Sequence, residues 1–216
     1  YQHHEQACAM AAEAYARLGN KMAAVCVTTG PGATNAITGV LGAWMDSIPM
    51  LVFSGQARYA TTVSASGLPL RSMGVQECNI VPVVKSLTKY AHMIVHPENI
   101  RYHLEKALYL AVNGRPGPVW LDIPLDVQGA VIETDDLKAY DPEENPEQKP
   151  REIKDETVEQ ILDKLQESKR PVLSPGNGVR LAGAHEDFYQ LAELLGVPVV
   201  TGMSSVDAIE SDHPLF

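Results

Sequence analysis

Three parts of this chain carry groups able to do chemistry. The first is His3-His4-Glu5, which places a carboxylate in the first turn of a helix behind two imidazoles. A carboxylate there is stabilised by the helix dipole whether or not it has a reaction to perform. Adjacent residues on a helix end do not face one another, so His3 and His4 form no metal pair, and no residue of the chain is assigned to a metal. The second is Gly30-Pro31-Gly32-Ala33-Thr34-Asn35. It follows a strand-like run and opens a helix, so its amides lie at a positive helix end and its glycines admit a ligand close to the main chain. It is neither the dinucleotide Gly-x-Gly-x-x-Gly pattern nor a Walker loop, and no Lys follows to meet a phosphate. By itself it reads equally as a tight strand-to-helix turn. The third is a set of three cysteines, Cys8, Cys26 and Cys78, odd in number and without Cys-x-x-Cys spacing. They read as reduced packing thiols in a cytoplasmic setting.

These residues need a scaffold, and the apolar periodicity supplies one. The pattern predicts a helix from Glu5 to about Leu18, a strand Ala23–Thr28, a helix from Ala33 to Met45 and a strand Met50–Ser54. A helical turn near Ile80–Val84, a strand near Ala91–Val95, a helix from Pro97 to Gly114 and a strand Val119–Ile123 follow. Alternation of this kind, with short and continuously apolar strands, predicts an α/β fold whose parallel sheet is flanked by helices on both faces. Ligands of such sheets gather at the carboxyl ends of the strands. Beyond them a helix Thr157–Ser168, a strand Val172–Ser174, a helix Glu186–Leu195 and a strand Val197–Thr201 predict a partial Rossmann-like unit. Both ends of the 216 residues look abrupt, and the second unit looks cut short.

Ten acidic and four basic residues lie between Glu133 and Glu156, with Pro142, Pro146 and Pro150 among them. A charge run of that composition predicts a solvated linker at 133–156, dividing a domain 1–132 from a partial domain 157–216. The run's excess of six acidic groups accounts for more than half of the net charge of -10. Without a Lys/Arg cluster, that balance excludes a polyanion-binding surface, so nucleic acid is not an expected partner. No apolar run approaches the roughly 20 residues of a membrane span, and the first residues do not form a signal peptide.

Six segments fall in one order: His4-Glu5-Gln6 before an Ala-rich helix, Tyr15-Ala16-Arg17 at the end of that helix, Thr29 to Asn35, Asp46-Ser47-Ile48-Pro49, Ser54-Gly55-Gln56 and Gly114-Arg115-Pro116-Gly117-Pro118-Val119. In that order they resemble the thiamine-diphosphate-dependent enzymes, and more closely the large catalytic subunit of acetolactate synthase and its relatives. The resemblance covers most of a pyrimidine-binding domain (1–132) and the start of a central domain.

The resemblance implies roles for particular residues. Glu5 is the carboxylate that bonds the pyrimidine ring nitrogen of thiamine diphosphate and promotes its imino tautomer, and burial in the assembled site is expected to raise its affinity for protons. Gly30, Pro31, Gly32 and Asn35 face the cofactor. Gln76 is a substrate-side hydrogen-bonding residue, with Val75 where biosynthetic relatives carry Phe and Leu125 where they usually carry Lys. Arg115, Gly176 and Gly178 are candidates for an FAD that takes no part in the reaction, although Asn177 interrupts the usual glycine triplet. Small residues at Ala7, Ala9, Ala11, Ala12 and Ala14 suit close packing of a helix on a partner, so a homodimer or homotetramer is implied.

The family holds the diphosphate through Mg2+ on a third domain bearing Gly-Asp-Gly, a sequence that does not occur in these 216 residues. The chain alone is therefore expected to bind the cofactor poorly and not to turn over. The activity implied is decarboxylation of pyruvate or a similar 2-oxo acid and transfer of the acyl unit to a ketone or second oxo acid, in branched-chain amino acid biosynthesis. Transfer to a keto-sugar nucleotide and a non-catalytic assembly module are the alternatives.

Overall fold

The structure is a computed structural model that describes residues 1–148 and 152–216. It divides into two compact units, Tyr1–Lys149 and Pro150–Phe216. In the first, helix α1 (Glu5–Gly19) leads to strand β1 (Ala23–Val27), short helix α2 (Pro31–Asn35), helix α3 (Ile37–Met45) and strand β2 (Met50–Gln56). One-turn helices α4 (Val63–Ser66) and α5 (Ile80–Val84) precede strand β3 (Tyr90–Met93), helix α6 (Ile100–Val112), strand β4 (Pro118–Pro124) and helix α7 (Leu125–Gln128). The sheet is wholly parallel in the order β1-β2-β4-β3. The expected helix 33–45 is two helices, because the Ala36 amide bonds back only three residues, to Ala33, and breaks the α ladder there.

The two central strands are buried almost throughout, as a sheet covered on both faces requires. One face takes α6, whose Ala107, Leu110 and Ala111 pack with Leu51, Ile94, Val119 and Leu121. Across the sheet from it, Val25, Val52 and Trp120 are paired in register and buried. At the edge, β1 alternates instead: Ala24 and Cys26 are exposed. Cys26 is therefore no core-packing thiol, although all three cysteines are free.

Helix α1 begins where it does because the His4 imidazole accepts a hydrogen bond from the Gln6 amide (3.1 Å), a capping role for one of the two histidines. It ends at Asn20, which adopts the left-handed conformation (φ 48°). Its position is fixed against α3. A Cβ on Gly39 would lie 2.6 Å from the Ala9 Cβ and 2.7 Å from the Ala9 and Met10 backbone, so the two helices touch main chain to main chain. At the other end the Arg17 guanidinium bonds Glu13 and, at 2.5 Å, Asp46 at the close of α3. Of the small residues expected to meet a partner, Ala9 is thus spent within the chain, while Ala7, Ala11 and Ala14 remain exposed beside Met10, Tyr15 and Leu18.

Part of the acidic stretch is docked on the first unit. Tyr140 is buried, its amide donates to Glu105 (2.8 Å), Tyr102 bonds Glu144, and Lys106 lies over the rings of Tyr90, Tyr102 and Tyr140. Tyr140, the one aromatic residue among the acidic ones, meets rings of α6 and supplies apolar area that charge counting overlooks. Beneath them the rings of His92 and His103 stack at 3.9 Å, and burial pushes His103 down to about 4. Lys149, Pro150 and Arg151 of that stretch lie outside the described residues.

The second unit contains α8 (Asp155–Glu167), α9 (Gly178–Leu181) and α10 (His185–Leu195), and among the described residues one parallel bridge, Leu173 to Val199, stands where two strands are expected. Ala192, Val199 and Ile209 form its small core. Among the described residues no helix is long and apolar enough to cross a membrane.

The contact between α1 and α3 yields a paired expectation. Gly39→Ala should lower stability by about 2 kcal/mol through overpacking, whereas Gly42→Ala, whose Cβ meets nothing within 4 Å, should be neutral or stabilising. Chemical denaturation of the two variants beside the parent chain measures both.

Candidate functional site

At the carboxyl ends of β1, β2 and β4 the first unit opens into a cavity of about 1100 Å³. Its wall includes His4, Glu5 and Cys8 from the start of α1, Cys26 to Thr29 from the end of β1, Phe53 to Arg58 from the end of β2, and Val75, Ile123 and Leu125. This is where a parallel sheet gathers its ligands.

Glu5 is half-buried at the edge of this cavity, and its Oε2 accepts a hydrogen bond from Asn35 Nδ2 at 3.2 Å. Gly32 lies beneath: a Cβ there would stand 2.7 Å from Thr28 Cγ2 and 3.5 Å from Glu5 Oε1, so only glycine leaves the carboxylate and the turn this close. The sequence-predicted Glu5, Gly32 and Asn35 therefore share one corner of the chain. Bonds from its own backbone amide, then from Asn35, hold the Glu5 carboxyl below its ordinary value in this chain, against a smaller opposing effect of burial.

Gly30 starts the turn with φ +60° and is buried against the next loop, where a Cβ would meet the Gln76 carbonyl oxygen at 2.2 Å. Pro31 follows as the first residue of α2, exposed, where a missing amide hydrogen costs nothing. Gln76 itself is exposed and adopts a positive φ of 53°. Its neighbour Glu77 secures the loop by accepting from the amides of Val63 (2.7 Å), Met73 (2.9 Å) and Gly74 (3.0 Å). Val75, 87% exposed, lines the cavity in place of an aromatic wall.

Sequence reasoning missed the polar cluster beneath the cavity. Asp122, fully buried on β4, accepts from Ser54 Oγ (2.5 Å) and from Gln56 Nε2 (3.0 Å), both on β2. Trp120 Nε1 donates to Ser54 Oγ at 2.8 Å. The signal was present: one carboxylate interrupts the apolar run Val119-Trp120-Leu121-Asp122-Ile123, and a charge in a central strand needs buried partners. Burial pushes Asp122 up to about 6, while the bonds from Ser54 and Gln56 pull the other way.

Arg115 stands apart from this cavity. Its Nε donates to Ser47 Oγ at 2.7 Å, and it lines a second hollow of about 490 Å³ with Trp44, Lys89 and Glu147. Gly176 and Gly178 belong to the second unit, at the start of α9, where a Cβ on either would meet nothing within 4 Å.

Two family models match the chain: the thiamine pyrophosphate enzyme N-terminal TPP binding domain over residues 2–67 and the thiamine pyrophosphate enzyme central domain over residues 158–216. Among curated proteins it is similar to the acetolactate synthase large subunit of Corynebacterium glutamicum, 36% identical over 98% of this chain and 32% of the relative. That of Lactococcus lactis is 35% identical over 98% of this chain and 35% of the relative. The acetolactate synthase isozyme 3 large subunit of Escherichia coli is 34% identical over 97% and 35%. The chain spans about a third of the length of the curated relatives it matches.

A raised carboxyl is more readily ionised in the unfolded chain, so its contribution to stability is present below 3.8 and lost as pH rises through about 6. Unfolding free energy of the parent chain relative to Asp122→Asn should therefore fall by an amount on the order of 2 kcal/mol between about pH 4 and about pH 7. Urea titrations of both proteins across that range are the check.

Proposed function

We propose, for a chain that belongs to the thiamine pyrophosphate enzymes, that the cavity at the strand ends takes the pyrimidine half of thiamine diphosphate and that Glu5 is the acid–base residue facing it. The observation that carries this reading is the carboxylate of Glu5 at the cavity edge, 3.2 Å from Asn35 and directly over the glycine turn. The donor set suits such a ligand. A carboxyl group can share a proton with a ring nitrogen, and Phe53 and Ile123 provide apolar wall, while the space beside Gly30 and Gly32 is filled by Gln76 and Thr28, so these glycines set the turn next to the cavity.

Thiamine diphosphate, when bound, supplies the thiazolium carbon at which a 2-oxo acid loses carbon dioxide. Glu5 holds or releases the proton on the pyrimidine side, and Asn35 orients its carboxyl. A second copy of the chain, covering the exposed Ala7, Ala11, Ala14 and Leu18 stripe of α1, would dry the site and raise the Glu5 carboxyl from its lowered position in the single chain. A homodimer or homotetramer is the assembly this implies. Mg2+ and the diphosphate are assigned to no residue of the chain.

The reaction is acetolactate synthase-like: a cytoplasmic enzyme transfers an acyl unit from pyruvate to a ketone or 2-oxo acid, with Gln76 on the substrate side. Val75 and Leu125, both exposed on the cavity wall, favour an acceptor bulkier than a second pyruvate, so transfer to a keto-sugar nucleotide is the second reading. FAD is proposed on the resemblance alone, with Arg115 of the first unit and Gly176 and Gly178 of the second as separate candidates.

In the full-length protein Glu5→Gln should lower kcat by roughly 10²-fold or more, and unchanged turnover would remove Glu5 from the reaction. Acetolactate formed from pyruvate alone supports the first reading, whereas turnover only with an added ketone supports the second. Absorption in the flavin bands of the purified full-length protein is expected, and a colourless preparation would withdraw FAD.

A further inference from the structure

The buried cluster under the cavity ends in an amide with no spare hydrogen-bonding capacity. Gln56 is 5% exposed. Its Nε2 donates to Asp122 Oδ2 (3.0 Å) and to the Cys78 carbonyl (2.7 Å). Its Oε1 accepts from Thr29 Oγ1 (2.9 Å) and from the Ala57 amide (2.9 Å). Two donors and two acceptors are all that a glutamine side chain possesses. The carbonyl of Cys78 can only accept, which fixes which end of the amide is nitrogen.

Each bond reaches a different part of the site. Asp122 belongs to the sheet floor and is itself held by Ser54 and Trp120. Thr29 stands immediately before the Gly30 turn. Cys78 stands two residues after Gln76, whose backbone φ of 53° is unfavourable for a residue with a Cβ and must be held from both sides. Glu77 fastens this loop to residues 63–74, and Gln56 fastens it to the sheet. A core built only for stability would place apolar side chains here, since buried polar groups gain little over well-packed hydrophobic ones.

We propose that Gln56 is a positioning residue, setting one fixed separation between the Thr29–Gly30 turn and the Gln76 backbone by tying both to Asp122. This rests on the reading of that turn as the cofactor side and of Gln76 as the substrate side. Glutamate in its place would lose both donors and set a second carboxylate against Asp122. Leucine would leave the Asp122 carboxylate and the Cys78 carbonyl short of a donor.

Amide hydrogen exchange on the full-length protein, without any ligand, tests the tie. The Gly32 amide bonds Thr29 O and the Glu77 amide bonds Gly74 O, so each reports one side. Thr29→Val, which removes the hydroxyl and keeps the shape, should speed exchange at both by about tenfold. Thr29→Ser, which keeps the hydroxyl, should restore the parent rates, and β2 and β4 should stay protected in every variant. The Thr29 hydroxyl also lies 3.4 Å from the Gln76 carbonyl, so Gln56→Glu and Gln56→Met, which leave that contact in place, decide whether the tie runs through Gln56: both should show the same pattern, and parent rates in either would overturn the proposal. Unchanged rates in Thr29→Val, or acceleration spread evenly over the sheet, would overturn the proposal.

Binding of thiamine diphosphate with Mg2+ then separates the tie from its premise. Thr29→Val should weaken that affinity about tenfold with recovery in Thr29→Ser. Loosened exchange with unchanged affinity contradicts positioning and leaves the cofactor site standing, whereas absence of binding by the parent protein removes the cofactor reading before any variant is made.

Discussion

A carboxylate at the start of a helix can face the mouth of a parallel sheet only if that helix lies nearly against the strand ends, and here one backbone contact decides the matter. Gly39 of α3 lets the Ala9 turn of α1 approach to main-chain distance, with Arg17 and Asp46 closing the far end. Glu5 stands one turn before Ala9 and takes its position from that crossing. An extra methyl group at Gly39 would tilt or lift α1, and the carboxylate would leave Asn35 and the turn above Gly32. The small side chains of α1 thus serve first to seat the helix on its own domain.

The same economy governs the opposite side of the cavity. The sheet's two central strands are apolar except where Ser54, Gln56 and Asp122 meet, and there every polar atom has a partner: among the described residues no buried side-chain nitrogen or oxygen lacks one. Satisfied networks of this kind specify one geometry, because any shift leaves a charge or amide unpaired in a low-dielectric interior. Its bonds end on loop backbone and side chain at Cys78 and Thr29, where the Gln76 loop and the turn are anchored.

Much of this architecture was legible in the amino-acid order, and the exceptions have physical causes. The α1, β1, β2, α6 and β4 segments follow from periodicity and from cap and turn residues, because each is long enough for tertiary packing to agree with local preference. Helix α2 separates from α3 at Ala36 for a reason of hydrogen-bond geometry that no side chain announces. In the second unit, Val172–Ser174 and Val197–Thr201 have strand composition, yet among the described residues only Leu173 and Val199 form a bridge, and the Val199 amide turns to the Leu215 carbonyl. The segment 133–148 reads as solvated by charge, but Tyr102, Tyr109 and Tyr140 bury enough ring surface to dock part of it. At the site, Glu5, Gly32 and Asn35 were visible through their order along the chain. The Ser54–Gln56–Asp122 cluster, which depends on register across strands 68 residues apart, was not.

The central claim is that the Glu5 carboxyl meets a ring nitrogen of thiamine diphosphate in the cavity beside the Gly30-Pro31-Gly32 turn. A crystal structure of the full-length protein with the cofactor bound tests it most directly. A Glu5 oxygen should stand at hydrogen-bond distance, about 2.7–3.2 Å, from a pyrimidine nitrogen, with the ring in the cavity next to the glycine turn. A cofactor seated elsewhere, with Glu5 still directed to Asn35 and solvent, would contradict it.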